Sequence, residues 1–219
     1  MRQNNKDKSK YAPKSDMKEQ SLFPDKIIIG LTGGSGSGKS TLGRASAGDD
    51  ILYIDADKLG QQVILKGQPA YRELIDAFGI SILKDDGEID RKKLGAAVFS
   101  DKEKLLILNQ ISHRCIKEKI TQMIKATDKK GIIIDGAVII GSQVQPLCDI
   151  IVSVLADKNV RMERITARDN ISCEEAQRRI KNQPDDEFYI KNSDYIIYNN
   201  GQTDEAINEA TAIFRRIIG

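Results

Sequence analysis

Residues 33–40 read Gly-Gly-Ser-Gly-Ser-Gly-Lys-Ser, with four glycines among residues 33–38. So much glycine in so short a span suits neither a helix interior nor a strand, because each glycine gives up extra conformational entropy there. It suits a tight loop whose backbone must come close to something. The residues before it, 26–31, form a short, mostly β-branched apolar run, the pattern of a buried parallel strand. The residues after it, 40–46, suit a helix. A strand, a loop of pattern G-x-x-x-x-G-K-[ST] and a helix together specify a phosphate-binding loop.

The chemistry follows from those residue types. Triphosphate oxygens need many donors in a small space. Glycines let successive N–H groups turn inward with no Cβ in the way. The following helix points its positive end at the anion. Gly34, Ser35, Gly36, Ser37, Gly38, Lys39, Ser40 and Thr41 are therefore the expected nucleotide-binding residues. Lys39 is expected to reach the β- and γ-phosphates and the Ser40 hydroxyl to ligate Mg²⁺. That work lies in accessible space, so Lys39 is not expected to support the core. A dinucleotide-binding G-x-G-x-x-G is excluded, because Lys39 stands where the third glycine after Gly34 and Gly36 would be.

Further along, residues 51–54, 131–134, 150–155 and 195–198 read as strands. Residues 159–168, 174–182 and 205–218 read as helices. Asp57 is placed to cap or begin the helix after the second strand. Residues 59–128 are mostly helical in pattern, broken near Gly79 and at Lys84-Asp85-Asp86-Gly87. Strands separated by helices define an α/β chain with a parallel five-stranded sheet, and the helical stretch reads as an insertion at the sheet's C-terminal edge, where such folds bind ligands.

A chain of 219 residues fits one such domain. Its net charge of +2 gives no global field for nucleic acid. No run approaches the ~20 apolar residues of a membrane span. Residues 1–25, rich in Lys, Asn, Asp and Ser, read as a solvated tail without the apolar core of a signal peptide. Cys115, Cys148 and Cys173 are scattered and show no C-x-x-C pair. They read as reduced, buried thiols of a cytoplasmic protein.

The order of motifs adds specificity. Residues 28–41 read IIGLTGGSGSGKST. Ile54-Asp55-Ala56-Asp57, residues 94–99 and Leu108-Asn109-Gln110-Ile111-Ser112-His113 follow. After Ile132-Ile133-Ile134-Asp135 come residues 161–169 (RMERITARD), Gln183, Asp194-Tyr195-Ile196-Ile197 and Asn199-Asn200-Gly201. This succession resembles the dephospho-CoA kinase family from Lys26 to the C-terminus. The resemblance implies a P-loop kinase core, a helical acceptor-binding insertion (about residues 59–128) and a small lid (about 159–190). It implies ATP and Mg²⁺ as cofactors and dephospho-CoA as acceptor, phosphorylated on its ribose 3′-hydroxyl.

Site residues are implied in the same way. Asp57 matches the catalytic aspartate near the acceptor hydroxyl, where a carboxylate can take or orient a proton. Arg164 and Arg168, one helical turn apart, match lid arginines that hold charge on the transferring phosphoryl group. Asp55 and Asp135 are candidates for Mg²⁺. His113, the only histidine, matches an acceptor-domain position, and Asn200 and Gly201 match the turn beside adenine. For Asp55 and Asp57 the competing reading is a helix cap. For Arg164 and Arg168 it is a solvated face paired with Glu163 and Asp169.

The chain departs from the family in three places. Ala137-Val138-Ile139-Ile140-Gly141 replaces a segment carrying proline and glutamate, Arg114 follows His113 where proline is common, and the tail has no family counterpart. Other readings are a uridine-kinase-like enzyme and a non-catalytic nucleotide-binding module. A GTPase switch is suggested by Asp57-Lys58-Leu59-Gly60, but no N-K-x-D segment follows.

Overall fold

The fold is described from a computed structural model, in which residues 21–99 and 101–219 are described. Most of the expected N-terminal tail, residues 1–20, lies outside them. The chain forms two compact units. One runs to Ile54 and resumes over Lys129–Ile140 and Pro146–Gly219; the other comprises Asp55–Asp128 and Gly141–Gln145.

The first unit is built on a five-stranded parallel sheet in the order β2-β3-β1-β4-β5. The strands are β1 (Ile27–Thr32), β2 (Ile51–Asp55), β3 (Gly131–Asp135), β4 (Ile150–Leu155) and β5 (Tyr195–Tyr198). β1 lies centrally, with Ile28 opposite Ile132 on β3 and Leu31 opposite Val152 on β4. β3 and β4 are buried along their whole length. That explains their unbroken Ile/Val sequence: with both faces covered, neither needs alternation. Carboxylates close two strand starts: Asp149 accepts from the Ile28 amide and Asp194 from the Ile151 amide, both at 2.8 Å.

Helices α1 (Lys39–Ala47) and α9 (Thr203–Ile218) pack together, with Leu42, Ala210 and Phe214 in the same core as Ile29, Ile133 and Val152. The remaining helices of this unit are α6 (Lys158–Asp169), α7 (Cys173–Lys181) and α8 (Asp186–Lys191). α7 begins with a full capping box between Ser172 and Glu175. The sequence reading missed α8. It holds only six residues and opens on Pro184-Asp185-Asp186, which reads as a turn, but the Asp185 side chain caps it by accepting from the Phe188 amide.

The second unit contains α2 (Ala56–Gln62), α3 (Pro69–Phe78), α4 (Arg91–Phe99) and the long α5 (Lys102–Ala126). Its own core includes Val63, Leu74, Ile82, Leu94, Val98 and Cys115. Gly79, at φ 78°, ends α3, and Gly87, at φ 81°, turns the chain so that Leu83 bridges Ile89. Both breaks fall where glycine makes a left-handed residue cheap. Cys115 and Cys148 are buried free thiols, while Cys173 is exposed. The expectation of three buried thiols therefore fails at Cys173, which opens α7 on its solvent side. Among the described residues no helix is long and apolar enough to cross a membrane.

Candidate active site

The loop from Gly33 to Gly38 joins the end of β1 to α1. Gly33, Gly36 and Gly38 all have positive φ, and Gly38 is the left-handed N-cap of α1. Space as well as torsion demands glycine here. A Cβ on Gly36 would lie 2.6 Å from the Arg161 carbonyl oxygen, and one on Gly38 2.3 Å from Asn199 Nδ2.

The loop's carbonyls are held from one side. Ser35 O accepts from Arg161 Nε at 2.9 Å, and Ser37 O accepts from Asn199 Nδ2 at 2.8 Å. Arg164 Nη1 donates to Asn199 O at 3.0 Å and, at 3.4 Å, to both Gly36 O and Ser37 O. In a planar trans peptide the N–H of the next residue points opposite to the carbonyl. Tying down Ser35 O and Ser37 O therefore turns the Gly36 and Gly38 N–H groups the other way, as an anion cradle requires. Ser37 Oγ is buried with no hydrogen-bond partner among the described residues, a polar atom left over inside the loop.

Lys39 and Ser40 open α1. Lys39 Nζ lies 2.9 Å from Asp135 Oδ1 and 3.3 Å from Ser40 Oγ. Asp135 ends β3 and is 1% exposed. Its other oxygen accepts from the Tyr53 hydroxyl at 2.5 Å. Burial first, and this bond to Asp135 second, hold the Tyr53 hydroxyl well above the ordinary tyrosine range. The Arg44 guanidinium stacks over the Tyr53 ring, 5.5 Å from its centre. A hydroxyl and a carboxylate converging on one ammonium form an oxygen-rich site that holds a cation. That chemistry suits Mg²⁺, which takes few protein oxygens and fills its octahedron with water and phosphate.

Arg164 and Arg168, expected from the resemblance to work as a pair, have different partners. Arg164 faces the loop, whereas Arg168 forks onto Asp169, at 2.7 Å to Oδ1 and 2.9 Å to Oδ2. Arg179 also pairs with Asp169. Hydrogen bonding from Arg168, then from Arg179, holds the Asp169 carboxyl well below the usual carboxylate range. For Arg168 the paired-face reading therefore describes this structure.

The two aspartates where β2 meets α2 also divide. Asp55, not Asp57, caps α2: its side chain accepts from the Lys58 amide at 2.8 Å. Asp57 is exposed in the first turn. Asp57 reads from the sequence as a residue that caps or begins this helix; it begins it, and the extended backbone of Asp55 (φ −89°, ψ 96°) puts the cap two residues earlier. His113 is half-buried on α5, and its neighbour Arg114 pairs with Glu73 on α3. Asn200 Oδ1 accepts from the Asp157 amide at 2.6 Å, and Gly201 is exposed. After β3, the Ala137 carbonyl accepts from Thr32 Oγ1 at 3.3 Å. Gly141 adopts φ 78°, a conformation that disfavours a glutamate there.

Sequence reasoning did not assign site roles to Tyr53, Arg161 or Gln183. Tyr53 reads as an ordinary strand residue, and only the sheet order brings β2 beside Asp135 on β3. Arg161 and Gln183 sit in the quoted motifs, but nothing in their spacing shows that both reach Ser35.

A parallel sheet with this loop after β1 and a buried acidic residue ending β3 defines a P-loop phosphotransferase of the small-molecule kinase class. The comparisons make it particular: the dephospho-CoA kinase family model matches residues 27–205, and the chain belongs to that family. A dephospho-CoA kinase of Bacillus anthracis is 36% identical over 87% of this chain and 96% of its own length. A solved structure of dephospho-CoA kinase from Campylobacter jejuni superposes with a TM-score of 0.64 at 26% identity, covering 88% of this chain and 98% of its own. A solved Thermus thermophilus protein reaches a TM-score of 0.77 at 25% identity, covering 89% and 99%.

Proposed function

We propose that this chain transfers the γ-phosphoryl group of ATP to the ribose 3′-hydroxyl of dephospho-CoA, forming CoA and ADP in the last step of coenzyme A biosynthesis. The observation that carries this reading is the family match over residues 27–205, which includes both the P-loop and the helical second unit. A uridine kinase would share only the first.

The loop residues Gly34 to Thr41 enclose the phosphates, which take backbone N–H groups of the loop other than that of Ser35, together with the N-terminus of α1. Lys39 leaves Asp135 to follow the β- and γ-phosphates, an exchange of one anion for another. Ser40 and Asp135, with Asp55 acting through water, would hold Mg²⁺. When bound, that ion neutralises charge on the β- and γ-oxygens.

Asp57 receives or orients the proton of the acceptor hydroxyl from an exposed position in the first turn of α2. Arg164 stabilises charge on the transferring group from beside the loop, and Arg168 joins it once released from Asp169. His113 contacts the acceptor. Asn200 and Gly201 form the edge that meets adenine. The protein works in the cytoplasm, without nucleic acid or membrane as partner.

The test is turnover with ATP-Mg²⁺ against dephospho-CoA, uridine, cytidine and AMP, reading the product position by phosphorus NMR. Phosphate on the 3′-oxygen of dephospho-CoA is expected. Preference for uridine, or a 5′-phosphate, would overturn the acceptor and leave the kinase class standing. Tight ATP binding without any transfer would point to a non-catalytic module.

A further inference from the structure

Ser35 sits at the tip of the phosphate-binding loop, and all three of its polar groups are taken by two side chains from outside the loop. Its N–H donates to Gln183 Oε1 at 2.9 Å. Its hydroxyl accepts from Gln183 Nε2 at 2.8 Å, and its carbonyl accepts from Arg161 Nε at 2.9 Å. Arg161 Nη2 closes the ring by donating to the same Gln183 Oε1 at 2.7 Å. Arg161 is 5% exposed, and a Cβ on neighbouring Gly34 would lie only 2.3 Å from its Nη2.

The ring fixes the amide of Gln183 in one orientation. Exchanging its oxygen and nitrogen would set an NH₂ against both the Ser35 N–H and the Arg161 guanidinium, donor against donor. Neither side chain belongs to the loop: Arg161 lies in α6, and Gln183 follows α7. The Ser35 carbonyl is thereby committed to Arg161, and in the same planar peptide the Gly36 N–H is turned the opposite way.

We propose that Arg161 and Gln183 are positioning residues for the ATP site, holding the loop through Ser35 in the shape that binds phosphate and joining the α6–α7 segment to it. This rests on the reading of the loop as the ATP site. A cavity of about 520 Å³, lined in part by Arg161, Gln183, Lys158, Lys181 and Asp185, adjoins the pair. Water entering from that side can satisfy Ser35 when Gln183 is shortened. Loss of Gln183 thus displaces the loop without unfolding the unit.

The experiment is calorimetric titration of ATP into parent, Gln183→Ala, Gln183→Glu and Arg161→Lys proteins, with steady-state kinetics and melting curves. Gln183→Ala is expected to weaken ATP binding roughly tenfold and raise KM for ATP similarly, because the half-buried Ser35 N–H and hydroxyl lose the partner that fixes the loop. KM for dephospho-CoA stays within about twofold, since the ring touches only the donor side. Arg161→Lys shifts ATP affinity in the same direction, because an ammonium cannot bridge Ser35 O and Gln183 Oε1 as the planar fork does. Gln183→Glu keeps the acceptor for both Ser35 N–H and Arg161, and the Ser35 hydroxyl can turn to donate. It therefore restores melting to near the parent value and recovers part of the affinity. ATP affinity within about twofold of parent for Gln183→Ala, whatever its melting temperature, would overturn the proposal. If that variant does not fold, the same outcome for Arg161→Lys decides against it. A parent protein that binds no ATP would remove the ATP-site reading itself, a separate result.

Discussion

Lys39 and Asp135 form a 2.9 Å ion pair in which the carboxylate side chain is 1% exposed and the lysine side chain 13%. The P-loop lysine is therefore also the counter-ion of a buried charge, contrary to the expectation that it plays no part in the core. Removing one member of a buried pair strands the other in a medium that solvates it poorly.

Lys39→Ala is accordingly expected to abolish useful turnover and also to destabilise the fold by about 3 kcal/mol. The double variant Lys39→Met with Asp135→Asn removes both charges and is expected to recover most of that stability while remaining inactive. Denaturant titrations of the three proteins check this. Equal stability of Lys39→Ala and parent would show that Asp135 does not depend on the lysine.

Tyr53 is the second donor to Asp135. Tyr53→Phe keeps the ring beneath Arg44 and deletes one hydrogen bond to a charged group, an expected loss of about 1.5–3 kcal/mol. The folded hydroxyl titrates above its unfolded value. Its contribution is thus fully present below the unfolded pKa of about 10 and is lost as pH rises through the folded value. Melting differences between parent and variant should be flat from neutral pH to about pH 9 and shrink only in stronger alkali. A difference that disappears near neutrality would contradict this.

Asp57 and Asp55 should separate cleanly. Asp57→Asn is expected to lower turnover by roughly 10²–10⁴-fold with melting almost unchanged, because it is not the cap of α2. Asp55→Ala removes that cap and is expected to cost about 1 kcal/mol of stability. Should Asp57→Asn instead melt lower at a near-normal rate, its role would be structural.

Asp169 joins Arg168 on α6 to Arg179 on α7. Its carboxyl is held below the ordinary range, so its contribution is present above the unfolded pKa of about 3.9 and is lost as pH falls through the folded value. Asp169→Asn should therefore melt lower than parent by a constant margin above about pH 5, a margin that narrows below pH 4. The same variant frees Arg168. A margin still constant at about pH 2 would show that charge at residue 169 is not what joins the helices.

The sheet and the loop were legible in the sequence because they depend on local or periodic features. A strand buried on both faces must be apolar throughout, as residues 131–134 are, and a backbone cradle must be glycine-rich, as residues 33–38 are. The short helix α8 was not legible, because six residues carry too little periodicity to be told from a turn.

By itself, then, the sequence determined the α/β class, the phosphate-binding loop and the dephospho-CoA kinase family. Only the tertiary structure decided the partners of the charged groups. Asp135 with Lys39 and Tyr53, Ser35 with Arg161 and Gln183, and Arg168 with Asp169 instead of the loop are choices between equally plausible neighbours. Of these, only Arg168 and Asp169 are adjacent in the chain; the others meet across 82 to 148 positions. The physical reason is that helix and loop signals act over a few residues. The partner of a buried polar group is set instead by which strands and helices the packed core brings together, and each such group must find a partner there or destabilise the fold.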